Sequence, residues 1–163
     1  MGLFTLVMIA AVLGVLLETT VFHVFPVGPI MPDLVVILCV YLALREQSVA
    51  GAFGAFLLGY FADNFSGDVI GLHAFAMSLI FLLVYLLAQQ LWMDNVVANV
   101  AVVFAASLLK ALSVALLLAF FLSADYPWHR LFSTIWIEAA LAAALSPFVF
   151  SVLDGGRRVW GLD

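Results

Sequence analysis

Charge is what this sequence has least of. Of 163 residues, five are Lys or Arg and ten are Asp or Glu, so charged side chains make up 9% of the chain. With 67% hydrophobic residues, that scarcity excludes a soluble globular domain, whose surface would leave too much apolar area in water. Five scattered basic residues form no patch for phosphates, which excludes a nucleic-acid partner. The single cysteine, Cys39, sits in an apolar run, so there is no internal disulfide and no basis for thiolate zinc ligation. No HExxH or Cys–His spacing, glycine-rich phosphate loop, Ser/His/Asp constellation or paired-carboxylate motif occurs, so neither a catalytic centre, a metal nor a cofactor is expected.

What the chain does have is apolar runs of helical length. They recur at roughly 3–25, 33–46, 49–62, 72–91, 96–122 and 131–153, which predicts an all-α polytopic membrane protein of about six transmembrane helices in one domain, 1–163. The first run lacks a basic leader and is followed by further spans, so it reads as a retained helix and not a signal peptide. Pro26, Gly28, Pro29 and Pro32 force an irregular connection, and Pro32-Asp33 reads as a helix start.

The second run is short. From 33 to 46 it covers only roughly 22 Å at 1.5 Å per residue, so it must sit nearly upright, thin the bilayer or be shielded by neighbours. The break at Arg45-Glu46-Gln47-Ser48 reads as the turn of a helical hairpin. A single tilted span over 33–62 would instead give five helices, but would bury Arg45 and Glu46 at a cost of several kcal/mol. With six spans both termini share a side; that side carries Arg45, Arg157 and Arg158, the other Arg130, which favours cytoplasmic termini.

Three ionisable residues fall inside predicted spans: Glu18, Lys110 and Glu138. Glu18 and Lys110 are each roughly 21–22 Å from the inner end and Glu138 is roughly 10 Å below the outer end, so all three share a layer in the outer half. Lys110 with Glu138 is the expected pair, with Glu18 as a third member. Such a layer suits a structural salt bridge, a polar pocket for a ligand or partner residue, or proton or ion transport. Ala106, Ser107 and Ser113 share the Lys110 face and suit close helix contact. Gly51, Ala55 and Gly59 form a small-residue ridge, either for packing within the protein or for docking a partner helix. Asp63, Asp68 and His73 bracket the polar turn 63–71; a metal site there is conceivable, but an Asp and a His in such a place more often cap the flanking helices.

Taken in order, Glu18-Thr19-Thr20, Pro32-Asp33-Leu34, Tyr41-Leu42-Ala43-Leu44-Arg45, Gly51-Ala52-Phe53-Gly54, Gly59-Tyr60-Phe61-Ala62-Asp63 and Gly71-Leu72-His73-Ala74 resemble the bacterial rod-shape-determining membrane protein family MreD. The match is dense over about forty residues and compositional elsewhere. The resemblance implies a non-enzymatic inner-membrane subunit of the cell-elongation machinery. Its implied partners are a single-span MreC-like protein and, indirectly, the MreB-like filament and the glycosyltransferase and transpeptidase of lateral-wall peptidoglycan synthesis. It also implies a helical arrangement similar to the S-components of energy-coupling-factor transporters. Asp33, Arg45, Asp63, Gly71 and His73 are then structural or partner-contact positions, and Gly51, Ala55, Gly59, Asp33 and Arg45 are candidates for partner binding. The competing reading is an S-component-like protein that binds or transports a small molecule or ion.

Overall fold

A computed structural model describes residues 5, 7–10, 12, 14, 33–66, 71–90, 96–121 and 128–159. The described residues between 5 and 14 are helical (α1) and are followed by α2 (Leu34–Arg45), α3 (Val49–Ser66), α4 (Leu72–Gln90), α5 (Val96–Phe121) and α6 (Trp128–Val159). The protein is an all-α polytopic membrane protein, and no strand occurs among the described residues. Three of these helices, α4, α5 and α6, are long and apolar enough to cross a membrane by length and composition, and α2 is a shorter apolar helix.

The architecture is organised around α2, the shortest of the helices α2 to α6. It packs against α3, α4, α5 and α6, and every residue from Val35 to Ala43 is buried. A helix hydrophobic on all sides belongs inside a bundle, because lipid or protein must meet each of its faces. Shielding by neighbours is therefore how this chain accommodates a helix of 12 residues, about 18 Å long, in a bilayer roughly 30 Å thick. α1 joins the same core: Val7 is buried, and a Cβ on Gly14 would be in ordinary van der Waals contact with Leu34 and Leu38.

Between α2 and α3 the chain breaks at Glu46–Ser48. The Glu46 N–H donates to the Leu42 carbonyl at 2.8 Å and closes α2, while Ser48 Oγ accepts from the Gly51 N–H at 3.3 Å and opens α3. A polar cap on each side of three non-helical residues makes two helices here, packed on each other.

α3 and α4 are the most intimate pair. A Cβ on Gly59 would stand 2.4 Å from Ala74 Cα and 2.5 Å from the His73 carbonyl oxygen, and one on Gly51 would stand 2.2 Å from the Glu46 carbonyl and 3.1 Å from the Phe81 ring. Ala55, between them, is fully buried. The ridge Gly51-Ala55-Gly59 thus faces its own neighbours, and the expectation that it receives a partner helix is corrected: that face is occupied while α4 is in place. Spacing announces a close approach but not which helix makes it. Gly59→Ala is expected to lose about 2 kcal/mol in a denaturant or SDS titration, since the backbones must separate and the better helix propensity of Ala returns only about 1 kcal/mol.

α6 runs unbroken through Pro147 and on through Gly155 and Gly156, past the expected end at 153. Proline lacks the N–H that would bond the Ala143 carbonyl; Ser146 Oγ donates to that carbonyl at 2.7 Å instead. Ala139, Ala142, Ala143, Ser146, Phe150 and Leu153, at spacings of three and four, form its buried stripe. Ser78 and Ser107 likewise donate to carbonyls four residues back, which keeps hydroxyls satisfied away from water.

Candidate functional site

The polar side chains gather at the two ends of α2. At its N-terminus Asp33 is the cap: Oδ1 accepts from the Val36 N–H at 3.1 Å, and Oδ2 forms an ion pair with Lys110 Nζ of α5. The expected Lys110–Glu138 pair is therefore corrected, because Lys110 hydrogen-bonds Asp33. The reason is depth. A helix of only 12 residues brings Asp33, the residue just before it, level with Lys110 of α5, and both side chains are partly buried there. Glu138 still lies close enough to feel the Lys110 charge. Asp33, Lys110 and Glu138 line one cavity of about 200 Å³ with His73 and Ser107. Glu18, the expected third member, lies outside the described residues.

Beside this cavity, the α3–α4 turn is built on Asp63. Gly71 precedes α4 with φ of 99°, a left-handed conformation that only glycine adopts without strain, and its carbonyl accepts the first helical bond from the Phe75 N–H. As the cap residue it has no side chain to offer the free N–H groups of the first turn. Asp63 supplies the missing acceptor from the neighbouring helix. Its Oδ1 takes the His73 N–H at 2.8 Å, and its Oδ2 takes the Gly71 N–H at 2.9 Å and the Ala74 N–H at 3.2 Å. The His73 ring closes on the same carboxylate through Nδ1 at 3.0 Å.

Asp63 is 2% exposed, beyond the apolar part of α3. Burial pushes its carboxyl up, but the donors from His73, Ala74 and Gly71 outweigh that and hold it below its usual range. Each residue of the Gly-Leu-His-Ala run thus has a use: the turn at Gly71, burial of Leu72, a double contact from His73, and at Ala74 the backbone on which Gly59 lies. The capping expectation for Asp63 and His73 matches this arrangement. Asp68 lies outside the described residues, and among the described ones no three His, Cys, Asp or Glu side chains converge as metal ligands.

The other end of α2 has its own clasp, which sequence reading did not find. Tyr41 Oη donates to Asp154 Oδ1 at 2.8 Å, and Arg45 Nη2 donates to Asp154 Oδ2 at 3.1 Å. Tyr41 also meets the Phe150 ring edge-on, 5.2 Å between centroids. The one available signal was the four-residue spacing of Tyr41 and Arg45, which places both on one helix face. The Arg45 and Asp154 side chains are 45% and 35% exposed, so solvent weakens that pair. Arg45→Gln is expected to cost under about 1 kcal/mol, whereas Tyr41→Phe, which strips a charged acceptor of its buried donor, is expected to cost about 1.5 kcal/mol. Paired thermal-unfolding curves in detergent would show the order; a larger loss for Arg45→Gln would contradict it.

The described polar groups thus secure helix ends and a turn, and none forms a nucleophile–base pair. Fold and site together define an all-α polytopic membrane protein whose described polar side chains tie its helices to one another. The chain belongs to the rod shape-determining protein MreD family, which matches residues 1–154. No curated protein and no solved structure matches it.

Proposed function

We propose that this protein is a non-enzymatic inner-membrane subunit of the cell-elongation complex. It binds a single-span MreC-like protein and supports lateral peptidoglycan synthesis and rod shape, with MreB-like filaments and the wall-building glycosyltransferase and transpeptidase as indirect partners. Both termini lie on the cytoplasmic side, and all six helices reside in the membrane domain. The observation that carries this reading is the family match over 1–154, in a chain whose described elements leave little outside the bundle. The engagement of Asp63, His73, Arg45 and Asp154 in holding helices together adds support, because it gives the polar positions architectural work. Asp33 and Arg45, candidates for partner contact, are held within the chain by Lys110 and Asp154.

Affinity purification of the tagged full-length chain in mild detergent from its native membranes is the test. Recovery of an MreC-like single-span protein in near-stoichiometric amount is expected. A chain that purifies alone and monodisperse under every mild extraction condition would overturn the partner assignment.

A further inference from the structure

The cavity at the N-terminal end of α2 is more than a by-product of the Asp33–Lys110 ion pair. Its described lining has two carboxylates, Asp33 and Glu138, against one ammonium, Lys110, which is one negative charge in excess. Asp33 is committed twice over, to the Val36 N–H and to Lys110. Glu138 is not: it is partly buried and feels the Lys110 charge, but among the described residues it accepts no hydrogen bond. A carboxylate in such a place calls for a positive partner.

The remaining polar groups offer acceptors. Ser107 spends its proton on the Val103 carbonyl at 3.0 Å, so its oxygen lone pairs remain. The Asp63 carboxylate can only accept, so His73 Nδ1 is the donor in that contact, and in the Nδ1–H tautomer it is Nε2 that holds the ring's lone pair. Val36, Val114 and Ile135 contribute apolar wall. A space of about 200 Å³ holds a short organic molecule and not merely one water.

We propose that this cavity binds a small primary alkylammonium ion, with Glu138 as its counter-ion, Ser107 and His73 as further acceptors for its N–H groups, and the apolar wall against its alkyl chain. An ammonium head has three donors and one positive charge, which answers both the acceptor-rich lining and the excess negative charge. An anion meets the wrong sign, and a quaternary ammonium has no N–H to give. The inference is independent of the partner assignment, since it concerns the isolated chain.

Isothermal titration of the purified full-length protein in detergent near pH 7.5, at constant ionic strength, tests it with n-butylammonium, tetramethylammonium and butyrate. Saturable binding of n-butylammonium alone is expected, at least about tenfold weaker in Glu138→Gln, where a charge-assisted hydrogen bond is lost, and weakened less in Ser107→Ala. Absence of saturation, equal binding of tetramethylammonium, or an unchanged affinity in Glu138→Gln would overturn the proposal. Should Glu138→Gln not fold, the selectivity among the three probes and the Ser107→Ala affinity decide it, with unaltered binding in Ser107→Ala removing that residue and the site as drawn.

Discussion

Asp63→Ala is expected to be the most damaging single substitution described here, with a loss on the order of 4 kcal/mol. The side chain accepts three backbone N–H groups and the His73 ring, and it does so at 2% exposure. Truncation leaves those donors without a partner, and each orphaned buried donor costs about 1–3 kcal/mol. Native proteins hold only about 5–15 kcal/mol of stability, so a large part of it disappears. Asp63→Asn keeps one accepting oxygen but turns an amide toward an N–H, and falls between alanine and wild type. His73→Ala removes only the ring contact, since its backbone N–H still reaches Asp63, and should cost about 1 kcal/mol. Unfolding in detergent, followed by heat or SDS, would show this order. If His73→Ala proved as damaging as Asp63→Ala, the carboxylate would be serving the imidazole and not the helix end.

Lys110→Met ranks next. It strands Asp33, and removes the nearest positive charge from Glu138, in a part of the protein where an uncompensated charge costs about 3–5 kcal/mol. Partner choice distinguishes the observed arrangement from the one the sequence suggested. Adding Asp33→Asn to Lys110→Met should recover about 1–2 kcal/mol, because the stranded acid is neutralised while its capping oxygen can be kept. Adding Glu138→Leu should recover less, since Glu138 is not hydrogen-bonded to Lys110. A double-mutant cycle on the three positions measures both couplings. A coupling of Lys110 to Glu138 larger than that to Asp33 would contradict the geometry.

Much of the fold was open to reading from local chemistry. The Arg45-to-Ser48 interruption places a C-cap and an N-cap side by side, and the structure has two helices there. Asp63 with Gly71 and His73 was legible as a capped turn, because a glycine before a helix leaves N–H groups that a nearby acid can take. What stayed hidden depended on where helices lie relative to one another. Lys110 pairs with Asp33 because a short, enclosed α2 lowers its own N-terminus, and no spacing within α5 or α6 reports that depth. The ridge of Gly51, Ala55 and Gly59 signalled close contact, yet only the packed α4 shows that Ala74 fills it. The Tyr41–Asp154–Arg45 clasp joins residues more than a hundred positions apart, and α6 had to continue past the expected end at 153 to carry Asp154 there.

The structural role ascribed to the chain is tested most directly in cells. A rod-shaped bacterium depleted of its own member of this family becomes the host, and the chain is expressed there together with the MreC-like protein of its own source. Cell length-to-width ratio, measured by microscopy alongside membrane levels of the protein, is the readout. Return to rods is expected with the wild-type chain and failure with Asp63→Ala, whose fold is undermined. Round cells that nevertheless carry the wild-type protein, folded and in the membrane beside its partner, would contradict a role in cell shape.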